Sequence, residues 1–207
     1  MNRITQLDPA VAVGKSKELF DLVEAKFGCV PNLFRVLANA PAALDGFLGL
    51  DAALSKGVLN AKVRSQISLA VAEINDCSYC RSAHAYASNA LGLTELEIRN
   101  ARNIKAVDER TSAILDLARN IVLERGDLRE SEFKLARIAK LTDAEIIETA
   151  VNVVLNLLTN YVNHLSRTLV DFPVVPSMAD EIALDMENKE SREIDDEDDS
   201  QKFPPKQ

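Results

Sequence analysis

An all-helical fold is predicted by the composition of this chain and by the spacing of its apolar residues. Hydrophobic residues make up 47% of the sequence, only 5% are aromatic and Trp is absent, a balance typical of helices packed through Ala, Leu, Val and Ile. Apolar residues recur at spacings of three and four, whereas the alternating pattern of a strand does not persist. At 207 residues a single core supports itself without staples, so we expect a multi-helix bundle.

Glycine and proline residues mark where the first predicted helices end and begin. The first predicted helix, 14–28, ends at Gly28, and Pro31 and Pro41 stand where the first turn of a helix tolerates proline. These prolines open the second and third helices. Further helices are predicted over 61–75, from the cysteine motif at 77 onwards, and over 93–103, 108–126, 131–140 and 142–168.

Two of these helices begin with a capping-box signature. Thr94 and Thr142 are each followed by a glutamate three residues later, the spacing at which threonine and glutamate side chains satisfy each other's backbone N–H groups. After the last helix, Pro173 and Pro176 disfavour helical backbone. We therefore predict a helical domain over residues 1–176.

The net charge of −8 resides almost entirely in the remaining segment, 177–207. This segment includes the run DDEDDSQKFPPKQ, whose low hydrophobicity and high charge density are typical of disordered chain. We predict a solubilising or linker-like tail, with docking to a partner as the alternative. The rest of the chain is close to neutral and lacks the clustered basic residues that bind nucleic acid.

A cytoplasmic protein is the simplest interpretation of the apolar segments. The N-terminus MNRITQLDPAVAV lacks the long apolar run of a signal peptide, and three clustered cysteines do not suit a secreted disulfide scaffold. The most apolar stretch, 150–162, is shorter than the roughly 20 residues that cross a bilayer. It is also interrupted by three asparagines, so no membrane span is predicted.

The stretch NDCSYCRSAH, residues 75–84, contains the residues most suited to chemistry. If Asp76 caps a helix, Cys77 takes its first position, and Cys80 and His84 follow on the same face. A helix N-terminus stabilises a thiolate, and an imidazole one turn away can exchange the proton of the second thiol. Two thiols and a base are the groups that reversible disulfide chemistry needs.

Two alternatives stay open at this point: Cys77 and Cys80 are buried structural residues, or they bind a metal. Zinc requires four ligands, and Cys29 and His164 are the remaining typical donors, with no second CxxC. A redox pair is therefore favoured, and we predict neither a metal site nor a cofactor.

The stretch KVRSQISLAVAEINDCSYCRSAHAYASNALGLTELEI, residues 62–98, resembles the signature of the alkylhydroperoxidase D branch of the carboxymuconolactone decarboxylase-like superfamily. The whole resemblance spans roughly residues 14–176 and excludes the acidic tail. The later NYVNHLSRTLVDFPVVP is similar to the C-terminal segment of peroxidase-related members. The resemblance implies an all-helical homo-oligomer, a trimer or a multiple of one, with a dimer as the alternative. It also implies reduction of organic hydroperoxides at the expense of a thiol reductant protein.

Carried over by position, the resemblance makes Cys80 the peroxide-attacking thiol, Cys77 the resolving thiol and His84 the base of the proton relay. The family's relay glutamate falls at Ser65 here, and a serine cannot act as a carboxylate base. Peroxidase turnover is therefore expected to be weakened.

Two further residues are candidates for the relay, Glu73 and His164. The alternative functions are a non-catalytic, redox-sensing oligomer and a decarboxylase-like member of the same superfamily.

Overall fold

The computed structural model describes residues 2–183 and 186. This part of the chain contains helices and turns but no strand, which confirms the predicted all-α class. The principal helices are α1 (Gly14–Phe27), α2 (Asn32–Leu37), α3 (Pro41–Leu54), α4 (Ala61–Ile74), α5 (Ser78–Ala90), α6 (Glu95–Arg102), α7 (Glu109–Leu123), α8 (Glu130–Ile138) and α9 (Asp143–Ser166).

Local sequence signals set several of the helix ends. Gly28 ends α1 in the left-handed region at φ 75°, and Pro41 occupies the first turn of α3. Both predicted capping boxes are present, at Thr94 before α6 and at Thr142 before α9. Asn60 caps α4 by accepting the backbone N–H of Val63 at 3.0 Å. Each such cap stabilises its helix by about 1 kcal/mol.

Helix α4 is the centre of the bundle, because α5, α6, α7 and α9 all pack against it. Its side chains at Ile67, Leu69 and Val71 are fully buried. They join Leu115 and Val153 from α7 and α9 in the larger of two apolar clusters. Complete burial of a Leu, Ile or Val side chain contributes roughly 1.5–3 kcal/mol, so this cluster fixes the position of α4.

The second apolar cluster lies among α1, α2, α3 and the start of α5. Leu19, Phe20 and Leu44 form its centre, and Cys77 and Cys80 are among its members. The cysteine motif therefore lies where the N-terminal helices pack against the end of α4.

The segment after α9 folds back over α5. The backbone N–H of Val175 donates to the hydroxyl of Ser82 at 3.1 Å. Phe172 contacts the rings of Tyr79 and Tyr86, with ring centroids 5.8 and 5.7 Å apart. These contacts hold the return segment against the first turns of α5.

The chain divides into two units between residues 175 and 176. In the second unit residues 178–183 are helical, and the hydroxyl of Ser177 accepts the backbone N–H of Asp180 at 3.1 Å at the start of that helix. Most of the acidic tail lies outside the described residues, so its predicted disorder stays a prediction. Within the described residues no helix combines the length and apolarity needed to span a bilayer.

Candidate active site

A sharp turn between α4 and α5 positions the cysteine motif. Asp76 adopts the left-handed region at φ 49°, and the next backbone N–H, that of Cys77, donates to Ala72 at 3.0 Å. Cys77 is itself the N-cap of α5, and its sulfur accepts the N–H of Cys80 at 3.3 Å. The prediction that Asp76 caps this helix was wrong by one residue, because the turn places Asp76 before the cap.

Cys77 and Cys80 form a disulfide, with Cα atoms 5.2 Å apart. Each residue is only 2% exposed. The free cysteine, Cys29, is exposed and precedes α2. The structure thus brings together the two cysteines predicted as a redox pair, and it leaves the third in a loop. Among the described residues, no three His, Cys, Asp or Glu side chains cluster as metal ligands.

An open pocket of about 320 Å³ adjoins the disulfide. It lies between the N-terminus of α5 and the C-terminus of α9, and its lining residues are mostly polar: Cys77, Ser78, Tyr79, Asn163, His164, Arg167 and Thr168. Of the two disulfide residues, Cys77 contributes to the lining. A ligand in this pocket would therefore lie beside Cys77, which is the disulfide residue nearer to solvent on this side.

Asn163 contacts the second sulfur from across the interface between α5 and α9. Its side-chain Nδ2 donates to the Sγ of Cys80 at 3.2 Å. The residue is 4% exposed, and its Oδ1 is buried without a hydrogen-bond partner in the part of the chain that the structure describes. The site therefore contains a buried amide whose oxygen can still accept a hydrogen bond.

His84 lies one turn after Cys80 on α5 and is half-buried. Desolvation lowers its pKa to about 4, and a hydrogen bond with the Asn156 side chain and the charge of Asp51 oppose that shift. The imidazole is therefore neutral near pH 7 and can accept a proton.

Ser65, where the resemblance implies a relay glutamate, is paired with a second serine. The hydroxyls of Ser65 on α4 and Ser88 on α5 lie 2.6 Å apart. Ser88 is fully buried and follows His84 by one turn of the same helix. A hydroxyl pair can hold or pass a hydrogen bond, but neither member is a carboxylate base at neutral pH.

The other two relay candidates have their own partners. Glu73 forms an ion pair with Arg102 at 2.8 Å, and both side chains are largely buried. His164 is exposed, and its Nε2 lies 2.9 Å from the backbone oxygen of Asn75. His164 lines the pocket, whereas Glu73 is not among the lining residues.

Tyr79 fixes the first turn of α5 against α2. Its hydroxyl accepts the backbone N–H of Leu33 at 3.1 Å and also hydrogen-bonds the carboxylate of Asp171. Burial raises the pKa of this phenol, so Tyr79 stays protonated. Its hydrogen bond to Leu33 holds the first turn of α5, next to Cys80, against α2.

Sequence reasoning missed Asn163, Asn156 and Asp51. In the sequence alone, the asparagines of α9 indicate only that an apolar stretch is interrupted. The spacing of three or four that places Asn152, Asn156, Asn160 and Asn163 on one buried face was the available signal.

Comparison with known proteins shows a sequence similarity that includes the cysteine motif and a wider similarity of fold. Residues 39–124, which include α4, α5 and the cysteine pair, match the sequence profile of the Carboxymuconolactone decarboxylase family. The fold matches the alkylhydroperoxidase AhpD core of a peroxidase-related protein from Ralstonia eutropha JMP134 with a TM-score of 0.73 and 24% identity, covering 82% of this chain and 92% of that one. The chain is therefore similar to that family over residues 39–124, and its fold is alkylhydroperoxidase D-like.

Other solved structures share the fold at lower identity. A peroxidase-related protein from Silicibacter sp. TM1040 has a TM-score of 0.69 and 23% identity, covering 81% of this chain and 92% of that one. The debrominase Bmp8 in complex with 2,3,4-tribromopyrrole has a TM-score of 0.71 and 16% identity, covering 82% and 91%. Among curated proteins, no relative matches this sequence. The alkylhydroperoxidase D-like fold therefore accounts for most of the chain, and a shared fold alone leaves the reaction open.

Proposed function

We propose that this protein is a thiol-dependent peroxidase and disulfide oxidoreductase that reduces organic hydroperoxides through Cys77 and Cys80. The observation that carries the proposal is the Cys77–Cys80 disulfide at the N-terminus of α5, beside a polar pocket. A structural disulfide is not needed by a chain with two apolar clusters of this size. A disulfide next to an open pocket is suited to repeated opening and closing.

The reaction balances with two thiols as the source of electrons. The Cys80 thiolate attacks the terminal oxygen of the hydroperoxide, the O–O bond breaks, and the alcohol leaves after taking up a proton. The Cys77 thiol then attacks the resulting sulfenic acid, water leaves and the disulfide forms. A thiol reductant protein donates two electrons to return both cysteines to the reduced state.

His84 is the proposed proton carrier of this cycle. Its lowered pKa, about 4, keeps the imidazole in the form that accepts the proton of a thiol at neutral pH. The position one turn after Cys80 places it on the same helix face as that thiol. Asn156 lies close enough to raise the pKa of the ring and so opposes part of the effect of desolvation.

Ser65 limits the expected rate. A proton-transfer group contributes roughly 10²–10⁴-fold, and the hydroxyl pair of Ser65 and Ser88 cannot supply a carboxylate. We leave Glu73 out of the relay, because its carboxylate is engaged by the guanidinium of Arg102. Asp51, whose charge acts on His84, is left out on the same ground, because it pairs with Lys26 and Arg64.

The same serine favours a second candidate function. A protein that forms the Cys77–Cys80 disulfide slowly, and without efficient recycling, suits a redox sensor better than a peroxidase. This alternative shares the oxidised structure with the first proposal and differs in turnover.

The homo-oligomer implied by the family is supported by an exposed apolar stripe on α9. Its members are 38–63% exposed and repeat at intervals of seven, four, three and four: Ile147, Val154, Leu158, Tyr161 and Leu165. An exposed apolar stripe with this spacing is typical of helices that self-associate. We propose that this stripe joins copies of the chain, and Leu158→Asp should lower the mass measured by light scattering. An unchanged mass would remove the stripe from the interface.

A turnover assay tests the proposed activity. The purified protein is supplied with cumene hydroperoxide and excess dithiothreitol, and hydroperoxide loss is followed over many equivalents. The proposal predicts catalytic loss in both the wild-type protein and Cys29→Ser, since Cys29 is an exposed cysteine outside the pocket. Oxidation that stops after one equivalent supports the redox-sensing alternative, and no oxidation contradicts both.

A further inference from the structure

The two sulfurs of the disulfide have different surroundings. Cys77 lines the open pocket beside the C-terminus of α9. Cys80 is absent from the lining and instead receives the amide N–H of Asn163 at 3.2 Å. Thiol exchange depends on which sulfur is attacked and on how well the other leaves as a thiolate. In this structure Cys77 is the sulfur beside the pocket, and Cys80 is the sulfur with a hydrogen-bond donor that would stabilise it as a leaving thiolate.

Asn163 is buried beside the disulfide, and its side-chain amide has little freedom to move away from Cys80. It is 4% exposed, it lines the pocket, and within the described part of the chain its Oδ1 has no hydrogen-bond partner. A buried amide with an unpaired oxygen costs roughly 1–3 kcal/mol. Such a cost is offset when a ligand in the pocket donates a hydrogen bond to that oxygen.

We propose that the incoming reductant thiolate attacks the Sγ of Cys77, and that Asn163 is a positioning residue that stabilises the departing Cys80 thiolate. The proposal rests on the proposed thiol-redox function and adds a direction to its reductive half. It assigns the pocket beside Cys77 as the place where the reductant docks.

The exchange balances as follows. The reductant sulfur forms a bond with Cys77, the Cys77–Cys80 bond breaks, and its electron pair leaves on Cys80. A hydrogen bond from the Asn163 amide to that anion is stronger than the same bond to a disulfide sulfur, because the acceptor is now charged. A second thiolate of the reductant then attacks the mixed disulfide, releasing Cys77 as a thiolate and the reductant as its own disulfide.

The other lining residues indicate the charge of the reductant. Arg167 lies at the C-terminus of α9 with left-handed backbone, φ 51°, and both it and His164 are exposed at the pocket. A guanidinium favours a thiol that carries a carboxylate. The chemical class that fits is therefore an acidic thiol, such as a cysteine on an acidic peptide segment.

Trapping the mixed disulfide tests the direction of attack. The oxidised protein is mixed with reduced glutathione and quenched with N-ethylmaleimide before the first exchange is complete. Cleavage after Arg64 and Arg81 gives one peptide, 65–81, that holds both cysteines, so fragment-ion spectra distinguish them. The proposal predicts glutathione on Cys77 and maleimide on Cys80. The reverse pattern, or equal labelling, overturns it.

A second experiment tests Asn163. In Asn163→Ala the rate of disulfide opening by glutathione should fall by about tenfold or more, the size expected when a hydrogen bond to an ionised group is lost. Asn152→Ala is the matched control, since Asn152 is also a buried asparagine of α9 but donates only to its own helix, at the oxygen of Glu148. Equal slowing in both variants contradicts the proposal.

A pH profile separates positioning from a general structural effect. In a Cys77→Ser background, the midpoint for alkylation of Cys80 should rise by about one pH unit when Asn163→Ala is added. An unchanged midpoint overturns the role of Asn163. None of these experiments uses a hydroperoxide, so they can fail while peroxidase activity stands, and they can succeed where the turnover assay shows none.

Discussion

Helix α5 carries two chemically unequal halves of the candidate site. At its N-terminus, the sulfur of Cys77 accepts a helix N–H and that of Cys80 accepts the Asn163 amide, so both thiol positions have donors that stabilise a thiolate. His84 and the buried Ser88 lie one to two turns further along, and the hydroxyl of Ser88 contacts Ser65 at the proposed relay position. In the proposed cycle, thiol exchange has a hydrogen-bond donor at each sulfur, whereas Ser65 supplies no carboxylate for proton transfer. We therefore expect the peroxide step, not disulfide reduction, to limit turnover.

The largest expected effect on hydroperoxide consumption comes from replacing the two cysteines. Cys80→Ser should abolish hydroperoxide consumption down to the uncatalysed background, because the proposed attacking sulfur is gone. Cys77→Ser should still consume one equivalent and then stop, since the sulfenic acid on Cys80 has no resolving partner. Hydroperoxide loss measured in stopped-flow and steady-state modes distinguishes the two. Full activity in Cys80→Ser would remove the peroxidase assignment.

A glutamate at position 65 should restore the missing carboxylate and raise the rate of the peroxide step. Ser65→Glu should raise the single-turnover rate with cumene hydroperoxide by roughly 10- to 100-fold, part of the range for a positioned proton-transfer group. The buried hydroxyl of Ser88 is already placed to donate to the new carboxylate. Ser68→Glu, on the same helix with its hydroxyl bonded to the oxygen of Arg64, is the control and should give no gain. Equal rates in wild type and Ser65→Glu would show that the relay does not limit the reaction.

His84 makes the stability of the fold depend on pH. Its pKa is lowered from 6.5 to about 4 by desolvation, so between these values the unfolded chain binds a proton that the folded chain does not. Stability from this group is therefore complete above about pH 6.5 and falls as the pH drops toward 4. The loss at pH 5 should be about 2 kcal/mol.

Urea unfolding at pH 7 and pH 5 measures that loss. In His84→Gln the difference between the two pH values should shrink by about 2 kcal/mol, while His164→Gln, at an exposed histidine, should keep the wild-type difference. An equal pH dependence in wild type and His84→Gln would mean that His84 is not desolvated.

The smallest expected effect concerns the pocket charge. Arg167→Gln should slow reduction by glutathione about two- to threefold at low salt and leave reduction by cysteamine, which carries no carboxylate, nearly unchanged. Disulfide opening followed with both thiols measures the difference. Equal slowing with the two thiols would place Arg167 outside reductant recognition.

Local signals in the sequence were sufficient for most of the fold. Capping boxes at Thr94 and Thr142 and the terminating Gly28 appear where they were predicted, because these motifs act within a few residues of chain. The N-cap of α5 was missed by one residue. Asp76 is an ordinary cap residue by type, and its left-handed backbone is imposed by the close approach of α4 and α5, which no local pattern records.

The candidate site was only half visible in the sequence. Cys77, Cys80 and His84 are neighbours along one helix, so their spacing placed them together. Asn163 reaches Cys80 across 83 positions, and the lowered pKa of His84 arises from burial by other helices. Such features depend on tertiary packing, and a single sequence does not specify them.

The measurement that most directly tests the account is a thiol titration of the reduced protein before and after one equivalent of cumene hydroperoxide, with mass spectrometry locating any disulfide. The account predicts the loss of two of the three thiols, a Cys77–Cys80 disulfide and stoichiometric disappearance of the hydroperoxide, with Cys29 still reduced. Three thiols that remain reduced in a folded protein would contradict the claim that Cys77 and Cys80 are a working redox pair.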